Sequence, residues 1–306
     1  MAGFKTKKYY SQPDYIGKSK KPKNRHWRVL IFWVVIIFFL AGGTAYLAIF
    51  SPILKVKKIN LDGFSEAKAK EAQEIGNQIL QKKFFNKIPK DNFVLLPEPE
   101  IRNSLLDNFP EIKKLSFVKD LRGHSISIKA EQRKPAAIWC RVLIPEPVLV
   151  AEGESNATSS EPIFSLADAR IENCLFIDET GFAFAQAPIL SGGEVPTVYS
   201  QTESVISIKD IAADSKILSF ILNAKKELAV ANLNLTDFVV QSKSIGDLEI
   251  LAPDGWRIFL NIDNSVSSQI NALKRVLNDE IKEKRPLLDY IDLRVENRAY
   301  YKLKNP

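Results

Sequence analysis

The most conspicuous feature of the hydrophobic pattern is a run without any charge. Residues 29–50 read VLIFWVVIIFFLAGGTAYLAIF, relieved only by the polar groups of Thr44 and Tyr46. At a helical rise of 1.5 Å per residue, twenty-two residues extend about 33 Å, enough to cross a hydrocarbon core near 30 Å. The apolar stretch of a cleaved signal peptide is shorter, about 7–15 residues, and ends at a small-x-small site. Here the exit reads Ala48-Ile49-Phe50-Ser51-Pro52. The run is expected to be an uncleaved membrane anchor.

Beyond it the period of the pattern changes repeatedly. Ile53, Val56, Ile59 and Leu61 predict a strand that ends in a tight turn at Asp62-Gly63. Ser65 is placed to cap a helix whose apolar face is Ala67, Ala72, Ile75, Ile79 and Leu80. A second helix is expected from Pro99, a first-turn proline, through Ile101, Leu105 and Leu106 to Phe109-Pro110. Ile112, Leu115, Phe117 and Val118 predict one strand, and Ile126, Ile128 and Ala130, alternating with polar neighbours, predict the next, with Gly123-His124 in the hairpin between them. The order over 51–131 is β-α-α-β-β.

From Pro135 onward strands dominate. Residues 136–141 and 175–177 are expected partners, followed by the turn Asp178-Glu179-Thr180-Gly181 and a strand over 182–185. An irregular insertion near 145–170, rich in Pro, Glu, Ser and Ala, separates the first two. Two amphipathic helices punctuate the remainder, one through Ile217, Ile221, Ala224 and Leu228, the other through Val266, Ile270, Leu273, Leu277 and Ile281 with Asp263 or Ser265 as cap. A hairpin is predicted over 248–262 with its turn at Asp254-Gly255, and a final strand pair over 290–295 and 298–303. The fold class is α+β, in four parts: 1–28, the apolar run 29–50, 51–131 and 132–306.

Charge changes the picture at one end only. The chain carries a net +7, but residues 1–28 hold nine Lys and Arg against Asp14, so the tail is +8 and the remaining 278 residues sum to −1. A basic tail beside a span stays on the cytoplasmic side. Lys55, Lys57 and Lys58 on the other flank weaken that contrast without reversing it. The tail is therefore expected inside and the C-terminal part outside the plasma membrane. Trp27 and Trp33 fit an interfacial belt, and contact of the tail with anionic lipid needs no specific nucleic acid. An apolar content of 45% supplies enough surface for real cores.

The residues of catalysis are missing as patterns. There is no Gly-x-Ser-x-Gly elbow, and Ser191-Gly192-Gly193 reads as a loop. His26 and His124, the only histidines, have no carboxylate or cysteine arrangement to make them a base. Asp289 and Asp292 read as charged strand ends, because residues three apart on a strand face opposite sides. No phosphate-binding glycine loop occurs. Asn156-Ala157-Thr158 and Asn234-Leu235-Thr236 are formal glycosylation sequons of the kind that arise by chance. The chain is expected to be non-enzymatic and without cofactor or metal. Its two cysteines, Cys140 and Cys174, fall at the ends of the expected partner strands, side by side across the base of the insertion. In an oxidising compartment they would form a disulfide, the alternative being two buried thiols.

The order of these segments resembles the FtsQ/DivIB family of bacterial division proteins. The resemblance covers residues 25–303 and is carried by the basic tail and span, then ILKVKKINLDGF (53–64) and SISIKAEQRKPAAIW (125–139). In the latter, Glu131, Arg133 and Pro135 are similar to the family's Glu-Arg-x-Pro junction, with Gln132 between acid and base. LFIDETGFAF (175–184) is similar to its Val-Asp-x-x-Gly strand–turn–strand, Val195-Pro196 to its Leu-Pro step, and LDYIDLRVENRAYYKL (288–303) to its closing Tyr-x-Asp-Leu-Arg strand. The resemblance implies a POTRA domain at 51–131 and a mainly antiparallel β domain after it. It also implies a scaffold role in the divisome, with FtsB/FtsL-like (DivIC/FtsL) coiled-coil partners and a link to the septal peptidoglycan synthase. The insertion is longer than the hairpin expected there. Val295 follows Arg294 where some members carry an aromatic.

The same closing segment combines alternating apolar residues with aromatics and basic groups. Tyr290, Arg294, Val295, Arg298, Tyr300 and Tyr301 are the candidate partner-binding residues, on a terminal strand expected at a sheet edge where a partner strand can add. The competing expectation is that Ile291, Leu293 and Val295 seal the core and the tyrosines pack at its rim. A second function class is an envelope secretion or assembly factor whose POTRA unit handles client polypeptides. The transporter branch of that class needs many alternating barrel strands, whereas residues 132–306 hold two amphipathic helices and charged turns.

Overall fold

The uncharged run forms one helix, α1 (Arg25–Phe50), which starts four residues ahead of it. A computed structural model of the chain describes residues 3, 7–10, 25–84, 88–143, 170–189, 193–201, 204–241 and 246–304. α1 is long and apolar enough to cross a membrane, and none of its apolar window is covered by the rest of the chain. The expected insertion lies, apart from Arg170, outside the described residues, as does most of the basic tail.

The segment after α1 builds a small sheet beneath two helices. Its elements are β1 (Lys58–Asp62), α2 (Glu66–Gln81), the short strands β2 (Lys83–Phe84) and β3 (Ile88–Pro89), α3 (Glu98–Asn108), β4 (Ile112–Asp120) and β5 (Ser125–Gln132). β4 and β5 form the predicted hairpin, and β1 lies parallel to β5 in the order β1-β5-β4. The parallel pairing follows from the connection: after α2 and α3 the chain enters β4 in the opposite direction, at the far side of the sheet, and the hairpin then turns it back into β5 beside β1. Ala72, Ile79 and Leu80 of α2 and Ile101 and Leu105 of α3 bury against Ile59, Leu115, Ile126 and Ile128. Gly63, at φ +84°, makes the turn, and a Cβ there would meet Ala130 O at 2.3 Å. Ser65 occupies the cap position of α2 but makes no side-chain cap bond. Its carbonyl accepts from Ala69 N–H (2.8 Å), so the expected hydroxyl cap is a main-chain one.

The rest of the chain forms one nine-stranded sheet. Along the chain come β6 (Ala137–Leu143), β7 (Arg170–Ile177), β8 (Ala183–Gln186), β9 (Thr197–Ser200), α4 (Ser215–Val230), β10 (Asp237–Val240), β11 (Asp247–Leu251), β12 (Arg257–Asn261), α5 (Val266–Arg275), β13 (Leu288–Asp292) and β14 (Tyr300–Leu303). Their spatial order is β14-β13-β12-β11-β10-β9-β6-β7-β8. Five joints are antiparallel, but β6–β9, β9–β10 and β12–β13 are parallel. α4 and α5 cover one face, where Leu218, Ile221, Leu228 and Leu273 pack on Trp139, Phe238, Ile250, Ile258 and Ile291. Each such side chain contributes about 1.5–3 kcal/mol of apolar burial. Ser265, not Asp263, caps α5, accepting from Ser268 N–H at 3.4 Å. Buried Gln269 pins that helix to the sheet, donating to Asn261 O and accepting from Asn261 N–H, both at 2.9 Å. The helix predicted through Ile281 changes character after Arg275, continuing as a π turn (Val276–Ile281) and a 3₁₀ turn (Lys282–Leu287).

β6 and β7 pair with Cys140 opposite Cys174, and the two are joined in a disulfide with Cα atoms 4.0 Å apart. The alternative of two buried thiols does not apply.

Arg133 ties the two sheets together. It donates to Pro110 O (Nε, 3.0 Å), forms an ion pair with Asp178, and lies 4.1 Å over the Phe182 ring. Asp178 is 3% exposed and also accepts from Thr180 N–H, Thr180 Oγ1–H and Phe182 N–H. Burial pushes its carboxyl up, but the Thr180, Arg133 and Phe182 hydrogen bonds outweigh that and hold it below the usual range. A carboxyl depressed on folding stabilises above its unfolded pKa of about 3.9 and loses that contribution as pH falls through the folded value. Asp178→Asn keeps the Oδ1 acceptor and loses the ion pair. It should cost about 2 kcal/mol at pH 7. Urea midpoints of the two chains should differ at neutral pH, begin to converge below about pH 4 and meet only once the pH is below the folded pKa of Asp178. An equal gap at both pH values would mean that the charge of Asp178 contributes nothing.

Candidate functional site

The helices cover only one face of the large sheet, and the register shows what lies on the other. Cross-strand neighbours share a face. One row runs Cys174, Cys140, Tyr199, Val239, Glu249, Phe259, Asp292, Tyr300. A second row, two residues along, includes Asp237, Leu251, Arg257, Tyr290 and Lys302. At the β6, β7, β9 and β10 end this face is itself buried, as a small cluster of Ile138, Cys140, Val142, Cys174, Tyr199 and Val239. Toward β14 it becomes aromatic and charged.

Phe259 is the centre of that part. Tyr290 meets it edge-on at 5.8 Å, and the guanidinium groups of Arg294 and Arg257 lie 5.2 and 5.9 Å from its ring. Arg294 is bidentate to Asp292 (Nη2 2.7 Å, Nε 3.0 Å) and reaches Asp247 with Nη1 at 2.9 Å. The hydrogen bond to Asp292 holds the guanidinium well above its ordinary pKa, aided by Asp247. Asp292 is pushed up by burial, but its bonds to Arg294 prevail and hold it low. Glu249, only 2% exposed, sits 3.5 Å from Arg257. Burial raises its carboxyl despite Arg257 and Gln241. Tyr199 is pushed up to about 12 by burial, with the charge and hydrogen bond of Asp237 adding to it. It remains a neutral donor, suited to structure and not to proton transfer near pH 7.

The structure gathers the six predicted binding residues around the β13–β14 hairpin at the end of the sheet. β14 is the outermost strand on that side, with Tyr300 and Tyr301 48% and 42% exposed. Tyr300 stands opposite Asp292 on the open face, and Tyr301 opposite buried Ile291 on the helix-covered side. Arg298 donates to Tyr300 Oη at 3.2 Å. Tyr290 is half-buried against Phe259. Arg294, Val295 and Arg298 do not lie in strands, because β13 ends at Asp292 and β14 begins at Tyr300. Val295 is exposed in the connection and does not seal the core, whereas Ile291 and Leu293 do. Arg294 also departs from expectation: its guanidinium is committed to two carboxylates of its own chain. A hollow of about 60 Å³ lies between this connection and the start of α5, where Asn264 Nδ2 donates to Arg294 O at 2.9 Å.

Glu249, Arg257, Phe259 and Lys302 were not singled out from sequence. The alternation of Arg257, Phe259 and Asn261 was the available signal, but it gives no indication of which face lacks helices. Among the described residues no group of His, Cys, Asp and Glu is arranged to hold a metal ion. Comparison with protein-family models finds no matching family, and a search of curated proteins finds no matching relative.

Proposed function

We propose that this chain is a non-enzymatic scaffold of the bacterial divisome, anchored by α1 with its tail in the cytoplasm and its folded part outside. In this proposal the β-α-α-β-β unit is a POTRA domain. The nine-stranded sheet receives an FtsB/DivIC-like or FtsL-like partner, linking septum assembly to the peptidoglycan synthase. The observation that carries the binding part is the outer edge of β14, which pairs with no further strand among the described residues. This exposed strand begins with two half-exposed tyrosines and ends a sheet whose second face carries no helix among those residues and is aromatic and charged beside it. Such an edge offers unpaired main-chain groups to an added strand, and the side chains beside it select the sequence. The division role itself rests on the resemblance of segment order.

A fluorescent fusion of the full chain tests that role. Rings at midcell in dividing cells are expected. A uniform envelope signal throughout the cycle would reject the division role and favour an envelope assembly factor.

A further inference from the structure

The last turn of α1 is fastened to the domain that follows it. Asn92 is fully buried, and its Nδ2 donates to Ala48 O (2.7 Å) and Ile49 O (2.9 Å), two of the carbonyls that a helix C-terminus leaves without partners. Its Oδ1 accepts from Val94 N–H at 2.8 Å, which fixes the amide's orientation. Around this clamp three segments meet. Phe93 N–H donates to Leu54 O, Lys57 N–H donates to His124 O, and Lys119 Nζ reaches Phe93 O. The chain leaving α1, the loop at 91–94 and the β4–β5 turn are thus one contiguous base.

That base is apolar where solvent would be expected. Ile53, Val94 and Leu121 are 70%, 63% and 54% exposed, each on a different one of the three segments. Basic side chains accompany them: Lys57 and Arg122 are exposed, and Lys55 pairs with Asp91 at 3.4 Å. Large aliphatic groups beside lysine and arginine, on segments hydrogen-bonded to the end of an apolar helix and to the chain leaving it, match the boundary between acyl chains and anionic headgroups.

We infer that this base rests in the headgroup layer of the bilayer, with Ile53, Val94 and Leu121 dipping toward the acyl boundary, Lys57 and Arg122 facing anionic headgroups, and Asn92 holding the domain in that pose. The inference rests on α1 being a membrane anchor. The domain is then not a ball on a flexible stalk. It stands on the outer leaflet in a fixed attitude, which also sets the direction in which its strands are presented.

The test uses the full chain in nanodiscs containing phosphatidylglycerol. Both native cysteines are consumed in the disulfide, so single cysteines at Val94, Leu121, Glu66 or Phe39 take an environment-sensitive fluorophore selectively. Glu66 begins α2 beside Lys68, whose ammonium pairs with Glu111 just before β4, at the opposite end of that strand from the base. Lipid carrying a quencher near its headgroup should quench labels at 94 and 121 at least about twofold more than at 66, and less so when the lipid is purely zwitterionic. Asn92→Ala should bring the values at 94 and 121 down toward that at 66. Equal quenching at 94, 121 and 66, with the Phe39 label still quenched by deep-labelled lipid, would overturn the docking and leave the anchor standing. An unquenched Phe39 label would overturn the anchor itself. Undiminished quenching in the Asn92→Ala chain would remove Asn92 from its assigned role.

Discussion

Replacing Cys140 and Cys174 together with alanine should lower the stability of the nine-stranded unit by about 4 kcal/mol in the chain-entropy model. The separation of 34 residues sets this figure, since the bond forbids the unfolded chain every conformation in which the two strand ends part. For a unit of this size the loss corresponds to roughly 8–15 °C in Tm. Alanine is the better substitution, because serine would add the cost of a buried hydroxyl among Ile138, Val142 and Val239. Scanning calorimetry of the full chain in detergent, native against double variant, reads the difference. Adding reductant should move the native protein toward the variant and leave the variant where it is. Coincident transitions would show that β6 and β7 stay paired as well without the bond. The cross-link also bears on sidedness, since such bonds persist outside the cytoplasm, in keeping with the proposed orientation.

The second large effect is expected at the free edge. Tyr300→Ala should leave Tm nearly unchanged, because the side chain is half exposed and its hydroxyl accepts from Arg298, itself on the surface. If a partner strand adds to β14, loss of this ring should weaken capture of an FtsB-like peptide by about 30-fold, the measure of a tyrosine hot spot of 2 kcal/mol. The main chain can be tested separately. Lys304 N–H bonds inward to Leu287 O, so on an extended strand Tyr301 and Leu303 present theirs outward. Tyr301→Pro removes an outward donor without touching the pairing to β13, a position where edge strands tolerate proline. It should abolish capture, while Tyr301→Ala, which keeps the N–H, should only weaken it. Unaltered binding by both Tyr300→Ala and Tyr301→Pro would place the interface elsewhere. Arg294 is unsuitable for this test despite its place in the same segment. Truncating it leaves Asp292 and Asp247 facing each other without their cation, so lost binding would report a damaged fold.

Elements that rest on local period were legible from the residues in kind, though not always in extent: the α-helix of α5 stops at Arg275, short of Ile281, and β13 stops at Asp292, short of Val295. Twenty-two uncharged residues determine a single long apolar helix, because no shorter or amphipathic arrangement satisfies them. The alternation over 125–130 and the 3.6-residue spacing through Ile217, Ile221, Ala224 and Leu228 are properties of neighbours in the chain, and both elements appear where the spacing puts them. The disulfide was legible one step further on, because two strands flanking one insertion have few ways to pair and an antiparallel pairing puts Cys140 opposite Cys174.

What the tertiary structure alone decided is how distant segments meet. β9 and β10 are four residues each and nearly covered on both faces, so they carry no alternation to mark them, yet they join β6 to β11 and make the sheet continuous. Two of the three parallel joints, β9–β10 and β12–β13, follow from where α4 and α5 return the chain, and the third, β6–β9, from the chain passing through β7 and β8 first, none of which a local period encodes. Arg294 reads in sequence as a free cation. It is bound because β11 brings Asp247, forty-seven residues away, within 2.9 Å. Asn92 likewise looks like a loop asparagine until the end of α1 is placed against it. Local chemistry determined the helices, strands and turns. Packing decided which face was left open and which charges were already paired, because those depend on distances that chain separation does not set.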